Sequence, residues 1–325
     1  MRTLGLVVNV GNGYGSRKER RLQELQSHLR RFGAAVHVFR TGAPGLAGSV
    51  LRAALAGNCE ALLTAGGDGT FNDLLQAVAG NGYDIPIGVL PFGSGNILAQ
   101  DLGTSSDMQR LASDLLRAEV RPVAVGRMRA RESSSVVERY FGVAAGVGAD
   151  ARVICGVDAR LKARIGIAAY YAEAMRQLLF SREPFPEFMI EFTDSQTGQK
   201  RSERVTQAVA ERVTYFGRCL AGHNGHGLHT REFRLVLFKT NRRSVFVGYG
   251  ARMVASKFSR RSQPMRDVEI AHARQVLFLP VDDSRAPVLA EVDGEPLGHL
   301  PAEIEIADRP IRLLVARADE AGSSR

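Results

Sequence analysis

Over the first third of the chain, short unbroken apolar runs alternate with longer stretches in which apolar residues recur every three or four positions. The runs Thr3 to Val10, Ala35 to Phe39, Ala61 to Ala65 and Ile87 to Leu90 predict strands, while Arg17 to Arg31, Leu46 to Ala56 and a segment opening at Phe71 predict helices. Strand and helix in this alternation predict a parallel sheet with helices on both faces, an α/β domain over residues 1–121. From about Pro122 the rhythm changes. Short, often β-branched runs follow one another at Val123 to Met128, Arg139 to Ala144, Glu187 to Phe192, Glu203 to Ala210, Phe233 to Phe238, Gln275 to Leu279, Val288 to Val292 and Ile311 to Ala316. One long helix, Leu161 to Leu179, interrupts them. Residues 122–325 are therefore expected to form an antiparallel β-rich domain, with the last strand a candidate to return to the first domain. Ligands of parallel sheets sit at the carboxyl ends of the strands, so the loops there are where chemistry is expected.

At 325 residues, 45% hydrophobic and 24% charged, the chain has room for two ordinary cores. A net charge of +9 and a pI near 9.9 favour anionic partners. The basic residues lie in scattered clusters, among them Arg17-Lys18-Glu19-Arg20-Arg21 and Arg160 to Arg164, and a solvated helix face accounts for any one of these. The cysteines Cys59, Cys155 and Cys219 show no metal-ligand spacing and fit a reducing, cytoplasmic compartment. Met1 to Val10 lacks the length and cleavage site of a signal peptide and reads as a first strand. No run of 18 apolar residues predicts a membrane span.

Several loops carry candidate chemistry. Gly66-Gly67-Asp68-Gly69-Thr70 joins a strand to a helix, and its glycines allow a tight turn with backbone amides facing a polyphosphate. A carboxylate there would repel phosphate unless Asp68 holds a metal or takes a proton; a cap of the following helix is the plain alternative. Gly93-Ser94-Gly95-Asn96 repeats the design at the next strand end, with Asn96 as a possible cap. Gly11-Asn12-Gly13-Tyr14-Gly15 follows the first strand, but Ser16 breaks the dinucleotide pattern and Arg40 stands near the end of the second strand where an acid is wanted, so NAD binding is disfavoured. In the second domain Asp150 follows Gly148-Ala149 and suits a polar headgroup or a helix cap. Lys162 and Arg164 suit phosphate clamps or a solvated face. Asp293-Gly294-Glu295 offers two carboxylates, one for Mg²⁺ and one for a proton, or else a plain hairpin turn. His223, His226 and His229 lie in a glycine-rich loop with no carboxylate or cysteine to complete a metal set.

Taken in order, Asn9 with its glycine loop, Thr41, Gly66 to Asn72, Gly93 to Asn96, Gly148-Ala149-Asp150 and Asp293-Gly294-Glu295 resemble the diacylglycerol kinase catalytic-domain family, which includes bacterial lipid kinases and sphingosine kinases. The resemblance implies a doubly wound N-terminal nucleotide-binding domain, a C-terminal β-sandwich, and ATP-dependent phosphorylation of a diacylglycerol-like or sphingoid lipid with Mg²⁺. By position it assigns Asn9, Gly11, Gly13, Thr41, Gly66, Gly67, Asp68, Gly69, Thr70, Asn72, Gly93, Ser94, Gly95 and Asn96 to the nucleotide, joined by Lys162 and Arg164. Asp150 falls at a headgroup position, Glu295 or Asp68 at the base, and Asp68 and Asp293 become candidate ligands of the catalytic Mg²⁺. Val10, Asp73, Ser94 and His226 depart from the family pattern, the last replacing a carboxylate of a structural Mg²⁺ loop. The implied partner is an anionic membrane surface, touched peripherally, with no nucleic acid. A soluble hydroxyl acceptor, or a regulator without activity, are the competing readings.

Overall fold

The computed structural model describes residues 2–11, 15–42, 47–166, 168–181, 184–214, 227–255, 265–281 and 287–316. The chain divides into two compact units, Met1–Val123 with Arg309–Arg325, and Ala124–Asp308.

In the first unit a six-stranded sheet runs in the order β2 (Ala35–Thr41), β1 (Thr3–Asn9), β3 (Ala61–Ala65), β4 (Ile87–Val89), β17 (Ile311–Val315) and β5 (Glu119–Val123). The first five are parallel neighbours, and β5 closes the edge antiparallel to β17. Strand period places Leu4, Leu6 and Val8 with Leu63 on one face, in a core shared with Leu22, Leu25 and Leu29 of helix α1 (Ser16–Arg31) and with Leu111 and Leu115 of α5 (Met108–Arg117). Leu51 of α2 (Ala47–Ala56) and Leu74 of α3 (Asp68–Asn81) are fully buried as well, and α2 and α3 pack on one another. Helix α3 begins at Asp68, three residues before the apolar period does. The polar first turn conceals it.

The second unit is an antiparallel network of eleven strands. Its path runs β10 (Lys200–Val205), β9 (Phe188–Thr193), β14 (Gln275–Pro280), β16 (Glu295–Ile306), β15 (Leu289–Val292), β8 (Ala144–Gly148), β11 (Gln207–Glu211), β12 (Phe233–Phe238) and β13 (Val268–Ala273). β6 (Gly126–Glu132) and β7 (Ser135–Phe141) branch from β16. β16 pairs β15 through its first half and β14 through its second, with a register shift against β6 between His299 and Ala302. Two prolines and alternating acids hide this twelve-residue strand from a hydrophobicity reading.

Several expectations change here. The single helix Leu161 to Leu179 is two, α7 (Ala159–Ile165) and α8 (Ala168–Phe180), broken where Gly166 adopts φ 60°, ψ −130°. The runs Val123 to Met128, Arg139 to Ala144 and Glu203 to Ala210 each join the end of one strand to the start of the next, β5 to β6, β7 to β8 and β10 to β11. Helix α9 (Arg243–Ala255) packs Phe246 and Tyr249 on Phe238 where the sequence predicts no element. Below the strands the fully buried Arg212 donates to the carbonyls of Ala124, Leu228, Thr230 and Glu232. Beside it Arg234 Nη1 pairs with Glu211 at 2.5 Å. No helix among the described residues is long and apolar enough to cross a membrane.

Candidate active site

In the first sheet the winding reverses between β1 and β3, the position where parallel sheets open a crevice for ligands. The loops leaving these strands hold most of the expected nucleotide residues. After β1, Asn9 Oδ1 accepts from the Gly11 amide at 2.8 Å, and the Val10 amide donates to Thr41 O at 2.7 Å. Gly13 lies outside the described residues, as do His223 and His226.

The turns after β3 and β4 are built against each other. A methyl group on Gly93 would stand 2.3 Å from Gly67 Cα, so backbone meets backbone and only glycine fits. Gly66 is equally constrained, since a methyl there would lie 2.0 Å from Thr70 Oγ1. Asn96 adopts φ 51° and clasps its own turn, accepting from the Gly93 amide at 2.6 Å and donating to Gly93 O at 2.8 Å. Asp68 bridges the two turns: its Oδ2 and Oδ1 accept from the Ile97 and Leu98 amides, each at 3.0 Å, at the start of α4 (Ile97–Asp101). The carboxylate among phosphate-binding glycines thus caps the neighbouring helix rather than its own. Arg21 of α1 adds a further tie, donating to Pro91 O at 3.3 Å with its guanidinium 4.8 Å from the Phe92 ring. It is one residue of a cluster that reads in sequence as solvated.

Gly66, Gly67, Asp68, Gly69 and Thr70 are therefore brought together with Gly93, Ser94, Gly95 and Asn96. Gly69 and Ser94 form the exposed crest. Thr41, Thr70 and Asn72 are buried, and Thr70 lies against Gly66. Asn72 faces Gln76 Nε2 at 3.1 Å.

In the second unit Asp293 and Gly294 take φ of 49° and 81°, so D-G forms a hairpin turn between β15 and β16. The Asp293 carboxylate points back into the protein and accepts from three amides, Gly142 at 3.0 Å, Val143 at 2.9 Å and Ala144 at 3.0 Å. Glu295 behaves differently. Its Oε1 accepts from Lys162 Nζ at 3.0 Å, and its Oε2 has no partner among the described residues. Lys162 also lies 5.2 Å from the Tyr170 ring centre, and Tyr170 Oη donates to Gly294 O at 3.1 Å. Burial works against the Lys162 charge, but the contacts with Tyr170 and Glu295 outweigh it and hold the ammonium above its ordinary range. Arg164 is exposed on the last turn of the same helix.

Asp150 opens α6 (Ala149–Gly156) and meets a residue that the sequence reading missed. A methyl on Gly146 would lie 2.5 Å from Asp150 Oδ2 and 2.7 Å from Glu291 Oε1, so both carboxylates crowd one glycine. Neither has a cationic partner among the described residues. Burial raises Asp150 to about 6. Burial, then the Asp150 charge, pushes Glu291 well above the carboxylate range, although Oε2 accepts from the Gly294 amide at 2.8 Å. A Glu inside the apolar strand L-A-E-V was the available signal.

Both candidate magnesium ligands, Asp68 and Asp293, have each oxygen engaged by backbone amides, and no group of three or more acidic, histidine or cysteine side chains that could hold a metal forms among the described residues. The residues present do not fit a protein-built metal cage.

Residues 3–128 match the family described as the diacylglycerol kinase catalytic domain. The chain is 30% identical to a Klebsiella pneumoniae protein named probable lipid kinase YegS-like, over 55% of this chain and 57% of that one. It is 28% identical to a Bacillus subtilis diacylglycerol kinase over 48% and 50%. These matches span about half the length of the curated relatives. A Bacillus anthracis crystal structure described as a diacylglycerol kinase superposes with TM-score 0.68 over 97% of both chains at 18% identity. A second structure from that organism gives 0.72 over 98% of both chains at 17%. The segment 3–128 thus matches the diacylglycerol kinase catalytic-domain family, in a chain whose α/β and antiparallel units have the fold of those solved proteins.

Proposed function

We propose that the chain is an ATP-dependent lipid kinase, moving the γ-phosphate of MgATP to a hydroxyl of a diacylglycerol-like or sphingoid lipid. The observation that carries the reading is the junction of the two glycine turns, Gly67 against Gly93, inside the segment that matches the catalytic-domain family. Backbone amides around Gly67 to Gly69 and Gly93 to Gly95, with the exposed Ser94 hydroxyl, suit phosphate oxygens. Asp68 holds both turns in place and takes no proton. Glu295 is the base in this proposal, because its Oε2 has no partner among the described residues while Lys162 fixes the side chain through Oε1. The lipid hydroxyl gives its proton to Glu295 as its oxygen bonds to the γ-phosphorus and the bond to ADP breaks. Lys162 is the candidate phosphate cation of this unit, and Arg164, two residues on and exposed, leaves α7 on another side. The lipid acceptor rests on the names of the relatives.

The test is transfer of radiolabelled γ-phosphate from MgATP to vesicles of a total lipid extract. Label in a chloroform-soluble product is the expected result. Label only in a water-soluble acceptor, or tight ATP binding with no transfer, overturns the reading.

A further inference from the structure

Glu295 follows Gly294, which at φ 81° and without a side chain is the natural hinge of its turn. Both polar backbone atoms of that glycine are taken by side chains from other elements. Its amide donates to Glu291 Oε2 of β15 at 2.8 Å. Its carbonyl, part of the peptide bond into Glu295, accepts from Tyr170 Oη of α8 at 3.1 Å. Asp293 before it is anchored through its carboxylate and through its own amide, which donates to Ala144 O at 2.9 Å.

Tyr170 makes a second contact. Lys162 Nζ lies 5.2 Å from its ring centre while donating to Glu295 Oε1 at 3.0 Å. One side chain thus touches both the peptide that carries Glu295 and the ammonium that orients its carboxylate. Tyr170 is itself held in place. Gly166 turns α8 back onto α7, and Gln177 Nε2 ties α8 to α6 by donating to Arg152 O at 3.0 Å. Burial pushes the Tyr170 phenol above its ordinary range, so the hydroxyl stays a donor. Stability does not account for Glu291. A carboxyl 3% exposed in the apolar strand L-A-E-V, crowding Asp150 over Gly146, costs folding free energy. The hydrogen bond it makes is to the Gly294 amide. Groups that persist at such a cost gather where function needs a fixed geometry.

We propose that Tyr170 and Glu291 are positioning residues for Glu295, clasping Gly294 by its carbonyl and its amide so that Lys162 engages Oε1 and Oε2 stays available. This rests on Glu295 as the base of the proposed kinase. The full chain is compared with Tyr170→Phe, Glu291→Met, Glu291→Gln, Glu295→Gln and the double variant Tyr170→Phe, Glu295→Gln in transfer from MgATP to vesicle lipid. The expected result is a kcat about tenfold lower in Tyr170→Phe and in Glu291→Met at an unchanged KM for MgATP, although Glu291→Met melts no lower than wild type at pH 8. Glu291→Gln, which keeps an acceptor for the amide, recovers most of the rate. Because Tyr170 acts through Glu295, adding Tyr170→Phe to Glu295→Gln costs nothing further. Wild-type kcat in either Tyr170→Phe or Glu291→Met, or losses that multiply in the double variant, would overturn the proposal. Hydrogen exchange of residues 291–296 is followed on the same proteins without turnover. Faster exchange in Tyr170→Phe and Glu291→Met than in Glu291→Gln or wild type is expected, and equal exchange in all four would overturn the clasp. A wild type that transfers no phosphate while the variants show this exchange pattern would support the clasp and sink the kinase proposal.

Discussion

Two aspartates of the candidate site serve as anchors, and their removal separates scaffold from chemistry. Asp68→Ala leaves the Ile97 and Leu98 amides without their charged acceptor, for a predicted loss of about 2–3 kcal/mol in chemical denaturation. ATP affinity falls with it, because the same carboxylate holds the two turns together. Asp293→Ala frees three amides and is expected to cost about 3 kcal/mol. The Asp150 and Glu291 pair acts in the opposite sense. Both carboxyls lie above their ordinary values in the folded chain, so the folded state holds protons that the unfolded state releases. Their contribution to stability is intact below pH 4 and is lost as pH rises through about 6. Asp150→Asn should therefore stabilise the chain at pH 8 by on the order of 2 kcal/mol and leave it unchanged near pH 4. Melting curves across that range decide it; equal melting temperatures for the two proteins at pH 8 would refute the shared-burial account.

At the level of elements, the contact between turns is the part least tolerant of change. Gly93→Ala drives a methyl into Gly67 Cα, and a backbone neighbour cannot swing aside. The prediction is a loss of at least about 2 kcal/mol with ATP binding abolished, read by calorimetry on the folded fraction. A variant that binds ATP normally would show that the turns need not touch. The glycine turns were legible in sequence because strand, glycines and helix are local. Their mutual contact was not, since residues 66–68 and 93–98 meet only through pairing of β3 with β4. The same limit explains Asp68, whose partner helix lies about thirty residues on. Elements with a clean apolar period, such as β3 and β12, appear where the pattern places them. Those that escaped it carry polar residues for a structural reason. β16 serves two neighbours in succession; of the helices the pattern does place, α3 hides only its polar first turn and the helix expected at Leu161 to Leu179 hides its break at Gly166.

For the molecule as a whole, the change from alternating strands and helices to short successive strands was readable as a change of architecture. The positive charge was readable too, but not where it gathers: near α7 and α8 it flanks apolar residues that a helix pattern assigns to the core. What no local pattern holds is the division of labour among the carboxylates. Asp68 and Asp293 accept backbone amides, Asp150 and Glu291 crowd Gly146, and Glu295 pairs one oxygen with Lys162 while the other has no partner among the described residues. The most direct test of that assignment is the initial rate of label transfer from MgATP to vesicle lipid by Glu295→Gln, with ATP and vesicle binding measured on the same sample. The account predicts a rate at least about a hundredfold below wild type with both bindings retained. Transfer at the wild-type rate would contradict it.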